Sequence, residues 1–386
     1  MSSKEASSFV PPKEIFGRRD EAYAGRLEKT SWTGRCGGEP TPTAAAVNVE
    51  ELPISEHFEQ WMILHERSYR DEVEKAERFE IFKKNKAYVD SFNLQAAEKN
   101  HTYTLGINQF SDMTDHEFSI KYLSRRPPSK RVRNRTAESP SPSFLNKNDY
   151  NVSLDELPGN VDWRDKGAVT GVKDQKRCGC CWAFSAVAAL EGMNKIFLGT
   201  LFELSEQNVI DCTPDRGHDG CWSKHMIDAF NYAEDNDGVA SEKDYPFVGV
   251  RQQCKDYYIL PTGGSTSNYG EVPENNEMAL LAAVARQPVS VGLTYSPDFI
   301  PNFKSYRSGI FNGGLNGDCG TGNNHAVAIV GYGTVVPYAP YWIVKNSWGA
   351  RWGEYGYMRM ARQNGKGGGT CGINNDPVYP IPYSTD

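Results

Sequence analysis

The sequence predicts an α+β protein in which a small helical unit precedes a larger one that is helix-rich to about residue 260 and strand-rich beyond. Three observations carry this. Residues 55–120 place apolar side chains at helical spacing; after Leu157 the text changes to Trp163, clustered Gly and dense Cys; and past residue 260 short Gly- and aromatic-rich runs replace helical periodicity. Helices and strands segregated along a chain imply α+β architecture, whereas regular alternation would imply α/β.

Composition narrows the function classes. The 386 residues are 39% hydrophobic and 24% charged, with 8 Trp, 20 Tyr and 17 Phe. Disordered chains are poor in aromatics, so this is a globular composition. No apolar run approaches the ~20 residues that a membrane span needs. The net charge of −7 lacks the basic excess of a nucleic-acid-binding surface. Neither a membrane nor a nucleic acid is an expected partner.

Composition also divides the chain. Residues 1–54, rich in Ser, Gly, Pro and charge, read as a poorly ordered extension, and Met1 to Val10 lacks the apolar core of a secretory signal. Residues 55–120 form the first folded unit. Residues 121–156 read as a linker: Lys121 to Arg135 holds seven Lys/Arg and no acid, is broken by Pro127 and Pro128, and precedes Glu-Ser-Pro-Ser-Pro at 138–142. Pro-rich, single-sign text buries too little apolar surface to fold. Residues 157–382 form the second unit.

In the first unit, Phe58, Trp61 and Met62 recur at helical spacing, and Val73 to Glu98 runs without Pro or Gly. Glu74, Arg78, Phe82, Asn85, Val89 and Asn93 follow each other at spacings of 4, 4, 3, 4 and 4, which puts them on one stripe of one helix. Glu74 and Arg78 are placed to pair at i, i+4. Gly106 to Asp112 reads as a short strand leading to a turn.

Eight of the nine cysteines follow the linker. That density implies disulfides and an oxidising compartment, without fixing connectivity. Zinc is the rival reading, but only Cys178, Cys180 and Cys181 cluster and no second pair matches them, so no metal is expected. About 18 helix-compatible residues run from Cys181 to Leu198, which sets Cys181 at a helix N-terminus, where the dipole favours a thiolate. A buried or disulfide-bonded cysteine is the bland alternative. A thiolate nucleophile needs a base and the base an orienting group. Of the three histidines after the linker, His218 and His225 lie in or beside a Cys-flanked loop, whereas His325 opens an apolar strand-like run. Asn346 ends another, and its amide oxygen is suited to accept from an imidazole N–H.

Taken together, these residues resemble the papain-like, cathepsin L-like cysteine proteases over 157–382, with a plant-like Cys-Gly-Cys-Cys-Trp stretch. The helical stripe resembles the Glu-Arg-Phe-Asn-Ile-Asn motif of their propeptides, with Val89 at the Ile position. Gly106, Asn108, Phe110 and Asp112 fit the companion Gly-x-Asn-x-Phe-x-Asp motif. The resemblance implies a two-domain fold, helical on the left and β-barrel-like on the right, preceded by a small helical inhibitory pro-domain. It implies Cys181 as nucleophile, His325 as base and then acid, Asn346 orienting the His under Trp348, and Gln175 in the oxyanion hole. It implies disulfides Cys178–Cys221, Cys212–Cys254 and Cys319–Cys371, leaving Cys36 and Cys180 without assigned roles, and no cofactor.

The resemblance also lines a second subsite with His225, Met226, Gly292, Asn323, Ala326 and Asp376, and extends the substrate wall to Ser223, Lys224, Asn324 and Trp348. The plain expectation for this subsite is a preference for Leu or Phe; the sharper alternative is that Asp376 also accepts Arg or Lys, unless Lys224 reaches inward and satisfies it first. Where the family reads Gly-Cys-Asn-Gly-Gly, this chain has Trp222-Ser223-Lys224 after Cys221, which raises the alternative of a catalytically impaired homologue that binds peptides or partners. Expected partners are protein and peptide substrates, the chain's own propeptide and cystatin-type inhibitors, with the protein a monomer. A vacuole, lysosome or the cell exterior is the implied location, and sequons at Asn100, Asn134 and Asn151 fit that route. Glu74 and Asp112 are the motif carboxylates whose protonation is expected to loosen the pro-domain in acid.

Overall fold

Helix α1 (Ile54–Leu64) and helix α2 (Glu72–Leu94) come first among the described residues. The computed structural model describes residues 52–123 and 154–383, apart from 97, 100, 215–220, 222–223, 256–260, 314–318, 321–322, 336–338 and 363–366. The 1–51 extension with Cys36, most of the 121–156 linker, His218, Ser223 and the three sequon asparagines lie outside the described residues. From Leu52 onward the chain is one compact unit.

Helix α2 starts where the sequence places it, because Asp71 caps it by accepting from Glu74 N–H at 2.8 Å. Glu74 answers by accepting from Arg70 N–H at 2.8 Å. Its carboxylate is therefore committed to the helix start, and Arg78 pairs with Glu117 at 2.8 Å in place of the expected Glu74. Phe82 buries against Phe58 and Trp61, with centroids 5.2 and 5.3 Å away, and this aromatic contact joins α1 to α2.

The polar members of the stripe hold a segment that cannot satisfy itself. The strand expected over Gly106–Asp112 lies earlier, as β1 (Tyr103–Leu105). Beyond it Asn108 accepts from Phe110 N–H at 2.9 Å, and Ser111 Oγ accepts from Asn108 N–H at 3.0 Å. Side chains that capture backbone donors in this way end a ladder and make a turn. Helix α2 supplies the remaining partners. Asn93 both donates to Leu105 O at 2.9 Å and accepts from Leu105 N–H at 3.0 Å. Asn85 donates to Ser111 O and Met113 O at 2.8 and 2.9 Å, and Arg78 donates to Asp112 O at 3.0 Å. Helix α3 (Asp115–Tyr122) follows, closed by a Thr114/Glu117 capping box.

In the main body, helix α4 (Cys181–Leu198) ends at Gly199, and α5 (Glu206–Cys212) and α6 (Met226–Asp235) pack with it around Phe184, Val187, Leu190 and Phe230. Strands β2 (Val161–Asp162), β3 (Asn268–Glu271), β4 (Val289–Leu293), β5 (Tyr306–Phe311), β6 (His325–Val335), β7 (Ala339–Lys345), β8 (Tyr357–Ala361) and β9 (Val378–Ile381) join β1 in one sheet. The order is β1-β5-β8-β7-β6-β4-β9-β3, with β2 on β6. Helices α7 (Glu277–Arg286) and α8 (Ile300–Lys304) lie between the strands in sequence. The seam of α4 and the sheet is hydrogen-bonded: Ser185 donates to Val327 O at 2.6 Å and Ser290 donates to Ser185 O at 2.9 Å. Disulfides join Cys178 to Cys221, Cys212 to Cys254 and Cys319 to Cys371.

Strand β1 adds to the exposed edge of β5, pairing Tyr103 with Gly309 and Leu105 with Tyr306. Gly309 permits this approach. Its φ is +98°, and a Cβ there would stand 2.5 Å from Thr102 O and 2.6 Å from Tyr103 Cα.

Glu117 links α2, the capping box and α3. Burial raises its pKa, but the Arg78 hydrogen bonds and charge and the Thr114 contacts outweigh this and hold it at about 2. A depressed carboxylate stabilises the fold above its ordinary value, about 4.3, and that contribution fades as pH falls toward the folded value. Glu117→Gln should therefore destabilise the protein at pH 6 by about 1 kcal/mol, the screened value for a part-exposed pair. Denaturant unfolding at pH 6 and pH 3 checks this: the gap between variant and wild type should narrow in acid, and an equal gap at both would be contrary.

Candidate active site

Cys181 is the first residue of α4 and only 1% exposed. Cys180 precedes it as the N-cap and provides no side-chain cap. Its thiol instead donates to Cys178 O at 3.5 Å, and burial pushes its pKa well up. Cys180 is thus an inert thiol packed behind the helix start, while Cys181 meets the positive end of the dipole.

His325 opens β6 opposite Leu293 of β4, and Asn346 follows the last residue of β7. Because β6 and β7 are antiparallel neighbours, both residues emerge at one end of the sheet. His325 Nε2 lies 2.9 Å from Asn346 Oδ1. The same oxygen accepts from Ser347 N–H at 2.8 Å, which sets the amide orientation. An oxygen only accepts, so Nε2 carries the ring hydrogen and Nδ1 is the basic nitrogen. Nδ1 is buried and makes no hydrogen bond. Trp348, itself fully buried, lies 4.7 Å from the imidazole between ring centroids. Burial lowers the His325 pKa to about 4, against the opposing pull of the Asn346 hydrogen bond. Burial thus favours the neutral form of the ring.

Gln175 is held from both sides. Its backbone N–H donates to Ser347 O at 2.9 Å, and its Oε1 accepts from Ser347 Oγ at 2.6 Å. Its Nε2 donates to Cys178 O at 2.8 Å and reaches the carbonyl oxygen of Tyr122 at 3.4 Å. The segment led by α1–α3 therefore places a carbonyl at this amide. Phe110, Phe118 and Tyr122 also meet the Trp348 indole edge-on, at 5.8, 5.0 and 6.3 Å, and Gln109 donates to Trp348 O at 2.7 Å.

One cavity is lined by Cys181, Trp182, Lys224, Met226, Gly292, Asn323, His325, Ala326 and Asp376. Gly292 keeps it open: a Cβ there would come within 2.6 Å of Asn323 Nδ2. Lys224 does not reach Asp376. Its ammonium donates to Thr213 O and Pro214 O at 2.9 and 3.1 Å and lies over the Trp182 ring, 5.6 Å from its centroid. Asp376 is met instead by His225 Nε2. That ring's Nδ1 accepts from Ile227 N–H at 3.2 Å, which leaves Nε2 as the donor. Asn324 also turns away from the cavity, pairing with Tyr295 N–H and O at 2.9 and 2.7 Å. Ser223 lies outside the described residues. Among the described residues no group of three or more His, Cys, Asp or Glu is placed to hold a metal.

Several contacts at this site have weak sequence signals. Phe118 and Tyr122, four residues apart on α3, are visible as an aromatic stripe. The meeting of Tyr122 O with Gln175 and the His225–Asp376 pair have no local signature.

Comparison with known proteins accords with this geometry. Residues 157–381 match the papain family cysteine protease profile, and residues 58–118 match the cathepsin propeptide inhibitor domain (I29). The senescence-specific cysteine protease SAG39 of Oryza sativa subsp. indica is 40% identical over 333 residues, 86% of this chain and 91% of the relative. A recombinant stem bromelain precursor superposes with a TM-score of 0.74 at 41% identity, covering 86% of this chain and 100% of its own. The bromelain protease of Ananas comosus in complex with the E64 inhibitor is 46% identical, with a TM-score of 0.54, covering 58% of this chain and all 100% of that one. The chain belongs to the papain family of cysteine proteases and is a zymogen, a cysteine endopeptidase carried with its own propeptide inhibitor domain.

Proposed function

We propose that Cys181 is the nucleophile of this endopeptidase, His325 its base and acid, and Asn346 the residue that positions His325. The observation that carries this is the Asn346 hydrogen bond at 2.9 Å, which commits Nε2 and leaves Nδ1 as the base in the cavity lined by Cys181 and His325. Nδ1 takes the thiol proton, and the thiolate attacks the scissile carbonyl carbon. The oxyanion so formed is met by Gln175 Nε2–H and Cys181 N–H at the start of α4. Collapse expels the amine, which takes its proton from His325, and leaves a thioester on Cys181. Water, deprotonated by the same Nδ1, then attacks the thioester and releases the acid and the thiol.

In the zymogen the Tyr122 carbonyl lies 3.4 Å from Gln175 Nε2, so the pro-domain reaches this oxyanion donor as well as covering Trp348. We assign the inhibitory domain to 55–120, activation cleavage to the linker at 121–156 and the peptidase to 157–382. Three disulfides support an oxidising compartment, a vacuole, lysosome or the cell exterior. Cystatin-type inhibitors and a monomeric state complete the reading. The impaired-homologue alternative rests on Trp222-Ser223-Lys224; of these Lys224 alone is among the described residues, and its ammonium donates to Thr213 O and Pro214 O.

The similar bromelain structure holds the E64 inhibitor, which makes covalent labelling the direct test. The activated enzyme should bind one equivalent of an epoxide-type thiol-protease inhibitor, and Cys181→Ala should lose both the label and at least about 10³-fold in kcat. Labelling that survives in Cys181→Ala would remove the nucleophile from this position.

The buried imidazole gives a second test. A histidine whose folded pKa of about 4 lies below its unfolded value destabilises the fold as pH drops between the two. NMR titration of the proenzyme should show the His325 ring unchanged from pH 8 to about 5, with its midpoint near 4. A midpoint above the ordinary value of about 6.5 would be incompatible with a dry, neutral ring.

The second subsite gives a third. With His225 donating to Asp376, the wild type should cleave after Leu at the second acyl-side position in preference to Arg. Replacing His225 by Phe frees the carboxylate, and the Arg/Leu ratio of kcat/KM should rise about 10-fold, the scale of one charge-assisted hydrogen bond. A ratio that stays constant means that Asp376 does not read the substrate.

A further inference from the structure

Lys304 is a cation buried under the pro-domain. It ends α8, and its side chain is 1% exposed. Its ammonium donates to Asn85 Oδ1 at 3.2 Å, to Met113 O at 3.0 Å and to Asp115 Oδ1 at 2.7 Å. All three acceptors belong to the pro-domain, and so do the carboxylates whose charge it feels, Asp115, Asp112 and Glu117. An ammonium has three donors, so each is committed to a part of the chain that activation removes. Asp115 is 42% exposed, which puts the carboxylate of this ion pair at the rim.

The backbone beneath Lys304 does not depend on the pro-domain alone. Phe303 stacks on Tyr295 with centroids 3.6 Å apart and meets Trp348 at 4.8 Å, Trp352 at 5.4 Å and His325 at 5.8 Å. Trp352 Nε1 donates to Phe303 O at 3.1 Å. Lys304 is thus carried by the aromatic block on the Trp348 side of His325. The cavity with Met226, Gly292 and Asp376 is built from other residues, on the Cys181 and Trp182 side. Since His325 protonates the departing amine, the leaving half of the substrate exits past the imidazole on the Trp348 side, toward Lys304.

We propose that in the activated enzyme the Lys304 ammonium is a binding point for an acidic side chain on the leaving-group side of the substrate, filled in the zymogen by Asp115. The inference rests on the catalytic roles given to Cys181 and His325. The chemistry of the ligand is already displayed, since the zymogen presents a carboxylate and carbonyl oxygens to the same nitrogen. Lysine reads charge at this position as a compact point and favours Asp or Glu over a neutral isostere.

The test uses enzyme activated from the full chain and peptides with one fixed acyl side. Glu, Gln or Lys is placed in turn at each of the first three positions of the leaving side. At one of these positions wild type should prefer Glu to Gln by about 3- to 5-fold in kcat/KM, the range of a solvent-accessible ion pair. That ratio should fall toward unity in Lys304→Gln, persist in Lys304→Arg, and shrink in wild type as salt is raised. Should Lys304→Gln fail to fold, the salt dependence in wild type and the Arg variant still decide. A Glu/Gln ratio of unity at all three positions, or one insensitive to salt and to Lys304→Gln, overturns the proposal and leaves Lys304 as a docking residue for the pro-domain only. Cleavage of none of the peptides would defeat the catalytic reading itself, and this inference with it.

Discussion

The Trp348 indole shields the His325–Asn346 hydrogen bond from water, and it is itself fully buried among other rings. On one side it lies against the imidazole at 4.7 Å, and Phe303 and Trp352 close around it at 4.8 and 5.2 Å. On the other it receives Phe110, Phe118 and Tyr122 of the pro-domain. A hydrogen bond shielded from water holds its geometry far better than one that competes with solvent. The ring that preserves the geometry of catalysis is therefore also the surface on which inhibition is built. A pro-domain that docks on Trp348 brings the Tyr122 carbonyl to Gln175.

The pro-domain itself is held together unusually by polar side chains of one helix. Residues 105–113 form a bent segment whose backbone groups have few partners among themselves. Arg78, Asn85 and Asn93 run up α2 while their acceptors run down from Asp112 to Leu105. The helix thus acts as an external ladder for an antiparallel, irregular chain. Each such bond contributes only about 1 kcal/mol net, yet leaving a buried carbonyl unpaired costs about 1–3 kcal/mol. The stripe is polar for that reason, and its apolar members Phe82 and Val89 do the packing.

Behind the active site, buried charges tie α4 to its surroundings. Lys173 donates to Glu191 at 3.1 Å and to Glu206 at 2.9 Å, while Thr170 accepts from Lys345 at 2.9 Å and donates to Glu191 at 2.5 Å. Burial raises the Glu206 pKa to about 7, against the attraction of Lys173. Such networks add little net stability, because desolvation offsets the attraction, but they tolerate few alternative arrangements. Here the network links the helix that begins at Cys181 to β7, the strand that ends just before Asn346.

The sequence by itself determined the local parts of this protein. The helix beginning at Cys181, the strand opening at His325, the turn at Asn346 and the single stripe on α2 all follow from periodicity and composition, which act between near neighbours. It also carried the family, because those parts recur in a recognisable order. Tertiary structure decided what each side chain touches. Glu74 serves the helix cap while Arg78 goes to Glu117, the strand near Gly106 falls one step earlier, and His225 rather than Lys224 meets Asp376 across 151 positions of chain. Lys304 finds Asp115 across 189. Contacts at such separations leave no period in the sequence: they exist only where closure of the sheet and docking of one segment on another bring the two side chains together.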